Sequence, residues 1–171
     1  AAMVLKRKHG REVTRDEVIA ILEKNQADGL VLQPENAQKP EFICSCCGCC
    51  CGMLSFQKML PRPVDFWSSR FFADVDAAAC VHCGTCLTRC QVGAITMTGA
   101  GGEAKVSLDK CIGCGLCVTT CPSQAVRLMQ KEAAPEPPLD EESLCSAIQA
   151  NKAGAVEQVR TVIRAALKMK P

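Results

Sequence analysis

CVHCGTCLTRCQVGAITM, residues 80–97, and CIGCGLCVTTCPSQAVRLM, residues 111–129, are two copies of one pattern. A shift of 31 positions carries Cys80 onto Cys111, Cys83 onto Cys114, Cys86 onto Cys117 and Cys90 onto Cys121. The same shift lays Ala94 on Ala125 and Ile95 on Val126. Between the copies, AITMTGAGGEAKVSLD reads as strand, glycine-rich turn, strand. Its glycines sit in a hairpin that no helix follows, so the turn is a poor phosphate cradle.

Each copy spaces its cysteines as C-x2-C-x2-C-x3-C. Three thiolates so close in sequence can wrap three irons of one cubane cluster. The fourth lies past a tight turn and faces away, and in two-cluster proteins such a fourth cysteine ligates the other cluster. The expected sets are therefore Cys80, Cys83, Cys86 with Cys121, and Cys111, Cys114, Cys117 with Cys90. Gly84, Gly113 and Gly115 let backbone approach the inorganic sulfurs and donate N–H bonds that tune potential. Zinc needs four ligands per site and can use CxxC pairs, but it gives no reason for a third cysteine at the same spacing, twice.

These residues resemble bacterial-type ferredoxins with two [4Fe-4S] clusters, over about a third of the chain. CIGCGLCVTTCPSQAV carries the pattern in full, while the first copy has Gln91 where the family has proline. The resemblance implies a small module of short hairpins and helices with pseudo-twofold symmetry, and electron transfer as its work. More broadly, the order of helix, GLV, CxCCGCCCG and two ferredoxin repeats is similar to iron–sulfur proteins of anaerobic bacteria, in which the chain often extends further N-terminally.

Upstream, ICSCCGCCCG, residues 43–52, crowds six cysteines into ten positions. Cys44, Cys47 and Cys50 again stand three apart, the first three ligands of a cubane. Leu54 occupies the fourth position of the run, so a third cluster there needs a ligand from elsewhere, Cys145 or a partner protein, or keeps an open corner. CCG occurs twice, at Cys46–Gly48 and Cys50–Gly52, and resembles the paired CCG motifs of heterodisulfide reductase subunits, which in that family lie far apart. The alternatives to a third cluster are another metal or a regulatory dithiol, and reactive cysteines without metal. His9 and His82 read as bystanders, although His82 sits inside a CxxC loop where its imidazole can modulate a cluster.

The rest of the chain frames these sites. Of 171 residues, 15 are cysteine and only 4% aromatic, so core from large side chains is thin and staples are expected. Residues 14–27 predict an amphipathic helix, with Thr14 and Glu17 as a capping box and Val18, Ile21 and Leu22 on one face. DGLVLQP then reads as a turn and short strand, and 33–41 as a polar linker. Phe56, Phe66, Trp67, Phe71 and Phe72 are expected in local core. Residues 133–139 form a proline-rich linker. Residues 140–169 read as helix starting at Asp140 or Ser143, with Val156, Val159, Ile163 and Leu167 on one face. The expected fold class is α+β, in four parts. They are an N-terminal helix and turn unit (1–41), a cysteine-rich segment (42–75), a ferredoxin-like two-cluster module (76–132), and a proline linker with C-terminal helix (133–171).

A net charge of +2 gives no bulk reason for nucleic acid or lipid as partner. No run approaches the roughly 18 apolar residues of a membrane span, and no apolar h-region follows the basic N-terminus. Dense cysteine in a chain read as cytoplasmic means metal or redox work more than disulfides. The leading expectation is an electron carrier, or the electron-transfer module of a larger redox system, working with redox partner proteins and carrying no catalytic residue of its own. The alternatives are an oxidoreductase whose third cysteine site is catalytic, and a redox-sensing regulator whose helix–GLV unit touches DNA. TRDEVIAILEKNQ is not a basic recognition helix.

Overall fold

The computed structural model describes residues 6–7, 9–65, 69–99, 102–151, 159, 160 and 163. Its elements run α1 (Arg15–Asp28), β1 (Val31–Pro34), β2 (Ile43–Cys46), α2 (Gly52–Met59), a 3-10 turn (Pro63–Asp65), β3 (Phe71–Val75), α3 (Thr85–Arg89), β4 (Ile95–Met97), β5 (Ala104–Val106), α4 (Leu116–Thr119), β6 (Val126–Gln130) and α5 (Glu141–Ala150). The architecture is α+β, built from short antiparallel strand pairs and short helices.

The sequence repeat is a structural repeat. Each copy folds as strand, cysteine loop, short helix, strand: β3–α3–β4 and β5–α4–β6. The strands then exchange partners. β3 pairs antiparallel with β6, Phe71 opposite Gln130 and Val75 opposite Val126. β4 pairs with β5, Ile95 opposite Val106. The first strand of each copy is thus held by the last strand of the other, which brings each triplet loop toward the fourth cysteine of the opposite copy.

α1 begins where its capping box directs. The Thr14 hydroxyl accepts from the Glu17 N–H at 3.2 Å, and the Glu17 carboxylate accepts from the Thr14 N–H at 2.9 Å. Gly29 ends the helix in the left-handed region, at φ 89°. None of its residues is fully buried, and the Val18–Ile21–Leu22 face lines an open groove with Pro40, Phe42 and Ile43. β1 lies in the segment read as turn and strand, and pairs with β2, where Val31 faces Cys46. Asn25 of α1 donates to Ser45 of β2 at 2.9 Å. Crowded cysteines concealed β2 in the sequence, since half of it is cysteine.

The core is small and rich in sulfur. Val31, Leu54, Ala73, Ile95, Leu116 and Val126 pack with Cys86, Cys111 and Cys117. Val31 and Leu54 are fully buried, each worth about 1.5–3 kcal/mol of burial free energy. The aromatic expectation needs correction. Phe56 and Phe71 are 48% and 40% exposed, while Phe72 packs against the core. Alanine and cysteine supply much of the buried core in place of rings. Phe66 and Trp67 lie outside the described residues.

The two linkers brace each other. Gln38 N–H donates to the Pro138 carbonyl at 2.8 Å and Lys39 N–H to that of Leu139 at 3.0 Å. Asp140 caps α5 by accepting from the Ser143 N–H at 2.9 Å. The expected C-terminal face falls partly outside the described residues, Val156 and Leu167 with it; Val159 and Ile163 are exposed. No described helix is long and apolar enough to cross a membrane.

Candidate functional site

Two cavities flank the exchanged strands. One is lined by Cys80, Cys83, Cys86 and Cys121, with Val75, His82, Met97 and Val126; it spans about 320 Å³, part of it open to solvent. The other is lined by Cys111, Cys114, Cys117 and Cys90, with Ala73, Ile95 and Leu116, and spans about 340 Å³, again partly open to solvent. Each gathers a triplet from one copy and the fourth cysteine of the other.

The sulfur spacing discriminates between metals. Thiolates on one tetrahedral zinc sit about 3.8 Å apart, given a Zn–S bond of about 2.3 Å. In neither cavity do three sulfurs come mutually within 4.8 Å, as Cys47, Cys49 and Cys50 do. Four cysteines that line one largely apolar cavity without three of them closing on a single point fit a group larger than an ion.

Backbone shapes both loops. Gly84 and Gly115, at equivalent positions, both adopt left-handed conformations, at φ 74° and 77°. His82 is equivalent to Gly113, and both are left-handed, at φ 55° and 66°. So are Gly93 and Gln124, at φ 65° and 54°. Thus His82, which read as a bystander, holds a turn that glycine holds in the other copy. Its Nδ1 lies 3.2 Å from the Gly102 carbonyl oxygen.

Amides reach the sulfurs from the strand side. Ala73 N–H donates to Cys111 Sγ at 3.4 Å and Ala94 N–H to Cys90 Sγ at 3.2 Å. Thr85 Oγ1 lies 3.3 Å from Cys83 Sγ, and this bond holds the Cys83 thiol below its ordinary pKa. Burial pushes Cys117 up to about 12, helped by the neighbouring Cys114, Cys111 and Cys90. Burial also raises Cys114 and Cys86. Burial acts upward on Cys121 too, but N–H bonds from Val126, Ala125 and Ser123 and the Ser123 hydroxyl outweigh it and leave the thiol lowered. Protonated thiols buried this way are poor metal ligands, so loading must expel protons and replace them with cationic iron.

The two cavities differ in depth. Cys111 and Cys117 are buried, whereas Cys83 is exposed and Cys80 half-buried. Cys86 is buried as well, so the first set differs mainly in its more exposed Cys80–Cys83 loop.

Residues 79–125 match the family model of the 4Fe-4S dicluster domain. The match, taken with the cysteines, supports an iron–sulfur domain over this stretch and points to iron–sulfur electron transfer. No curated protein matches the chain.

The upstream cysteines divide differently from their spacing. Cys47 and Cys50 stand together with Cys49, whereas Cys44 stands on β2 beside Cys46. Cys44 and Cys46 lie on β2, and Cys46 interacts with Cys51 and Cys44. Burial, with those two thiols, pushes Cys46 up to about 11. Cys47 forms a disulfide with Cys49, and Cys50 joins that pair. The physical reason is the strand itself: β2 extends the chain through Cys46, and the turn at 48–50 folds only the later cysteines together. Cys145 is exposed on α5 as a free thiol.

Two residues join these parts: Gln91, which the sequence marked only as a departure from proline, and Arg89, which it did not mark. Gln91, at the family's proline position, accepts from the Gly48 N–H at 2.9 Å and donates to the Gly29 carbonyl at 3.0 Å. Arg89 donates to the Gln26 carbonyl at 2.7 Å and to that of Ala27, carbonyls of the last turn of α1. The departure from proline was the signal available for Gln91.

Proposed function

We propose that this chain transfers electrons through two [4Fe-4S] clusters, one in each cavity, as a carrier or as the electron-transfer module of a larger redox system with protein partners. The crossed cysteine sets, each lining one cavity within the dicluster match, carry this reading. A bound cluster supplies a one-electron couple whose potential its surroundings set. Cys80, Cys83, Cys86 and Cys121 hold one; Cys111, Cys114, Cys117 and Cys90 hold the other. Ala73 and Ala94 stabilise thiolate sulfur through their N–H groups, and Val75, Ile95, Leu116 and Val126 exclude water. The exposed Cys83 loop is where a partner exchanges electrons, since tunnelling favours close approach.

Iron and sulfide analysis on anaerobic protein tests the loading: about eight irons per chain are expected. Cys121→Ser tests the crossing. It perturbs the cluster of Cys80, Cys83 and Cys86 and leaves the spectrum of the Cys111 set nearly normal. Selective loss of the second cluster instead means that each run closes on itself.

A further inference from the structure

Cys47 and Cys49 are joined as a disulfide across a single residue, Gly48. A third sulfur stands beside it: Cys50 Sγ lies 3.0 Å from Cys47 Sγ and 3.9 Å from Cys49 Sγ. Cys49 and Cys50 are exposed and Cys47 half-buried. The loop is fastened at its buried glycine. Gly48 N–H donates to Gln91 Oε1 at 2.9 Å, and the Gly48 carbonyl accepts from Lys58 Nζ at 2.8 Å. A Cβ at Gly48 would collide with the Gln91 carbonyl oxygen and the Lys58 ammonium. So the residue between the disulfide cysteines is bonded to the residue immediately after Cys90, which lines the deeper cavity.

We propose that Cys47–Cys49 is a redox-active disulfide that draws electrons from the iron–sulfur segment along Cys90, Gln91 and Gly48, and passes them to external disulfides. The inference rests on the electron-transfer reading above. In the first step the S–S bond breaks, taking two electrons, delivered singly from reduced clusters, and two protons from solvent. The reduced Cys49 thiolate then attacks an external disulfide, forming a mixed disulfide and releasing one external thiolate. The thiolate of Cys47 attacks Cys49 sulfur, restoring the original disulfide and releasing the second external thiol. The net result is a two-electron reduction of the external disulfide. Cys50 adds an exchange position: its thiolate attacks Cys47 Sγ and displaces Cys49, keeping the bond count constant. The Lys58 ammonium places positive charge at the loop, where thiolates form.

The test compares loaded, anaerobic wild-type chain with the Cys47→Ser/Cys49→Ser double variant by dithionite titration. Wild type is expected to accept about four electrons, one per cluster and two at the disulfide, against about two for the variant, a twofold difference. Peptide mapping of the wild type supplies a readout independent of the variant's folding. A linked 47–49 or 47–50 peptide before reduction becomes alkylated thiols afterwards, and added oxidised glutathione restores the link. Equal uptake with intact cluster spectra overturns the proposal alone, as does a chain in which no link is found among these sulfurs. About twelve irons per chain with the three sulfurs protected from alkylation overturns it in favour of a metal site. Absence of clusters in both proteins defeats the electron-transfer reading instead.

Discussion

His82 and Gly113 hold equivalent places and the same left-handed backbone, but they do not tolerate the same side chains. A non-glycine residue there costs about 1–2 kcal/mol. At Gly113 a second obstacle is added: a Cβ would run into the Phe71 carbonyl oxygen and the Ser69 hydroxyl. Gly113→Ala is therefore expected to displace β3 and to lower the denaturation midpoint well beyond that backbone cost, with bleaching of the cluster spectrum. His82→Gly relieves the strained conformation and leaves the spectrum intact. Matched urea titrations of the two variants check the contrast, and equal behaviour would refute the backbone account.

At the scale of elements, the N-terminal unit is tied to the iron–sulfur segment by side chains of that segment, Arg89 and Gln91, that bond backbone at the end of α1 and at Gly48. Arg89 meets the C-terminal carbonyls of α1, whose last turn has no basic residue of its own. Gln91→Pro, which restores the proline of the ferredoxin pattern, removes both of its hydrogen bonds. It is expected to raise hydrogen exchange at Gly48 about tenfold, for a hydrogen bond of about 1.4 kcal/mol, while the clusters stay loaded. Unchanged exchange at Gly48 would show that Lys58 alone holds the loop. Thr14→Ala should destabilise α1 by about 1 kcal/mol, read by circular dichroism. The carboxyl of Glu17, held down by Arg11 and by the Thr14 N–H, lies below its ordinary value of 4.5. Its contribution is present above that pH and is lost as pH falls through the lowered value. The capping box, the β4–β5 hairpin and the duplicated cysteine loops were legible because each is local, set by residues a few positions apart. The exchange of β3 with β6 and the bond from Gln91 to Gly48 were not, because they join segments distant in sequence, and the β1–β2 pair was not, because half of β2 is cysteine. The disulfide was hidden for another reason: equal spacing among Cys44, Cys47 and Cys50 says nothing about the strand that straightens the first of them away from the others.

Over the whole molecule, thin apolar packing and two sulfur-lined cavities make metal part of the fold. Removing iron with a chelator is expected to unfold residues 76–130, because metal-binding free energy is folding free energy in modules of this kind. Persistent amide protection there after chelation would count against it. The depth difference sets an order of reduction. Burial around Cys111 and Cys117 disfavours the more negative reduced state, so the set with the more exposed Cys80 and Cys83 takes the first electron. A redox titration followed by electron paramagnetic resonance, with Cys121→Ser identifying that set, checks the order. The exchanged strands also determine how the segment bears tension. Phe71 and Gln130 stand opposite one another at the outer end of the β3–β6 pair, just inside the bond from Lys131 N–H to the Arg70 carbonyl. Force applied along the chain from both flanks arrives at that end and opens the ladder one rung at a time, reaching Val75 and Val126 last. The zipper is mechanically weak by construction, and resistance begins only where it meets the Cys80–Cys121 cavity, so an optical trap should record an early soft extension followed by an abrupt, iron-dependent rupture.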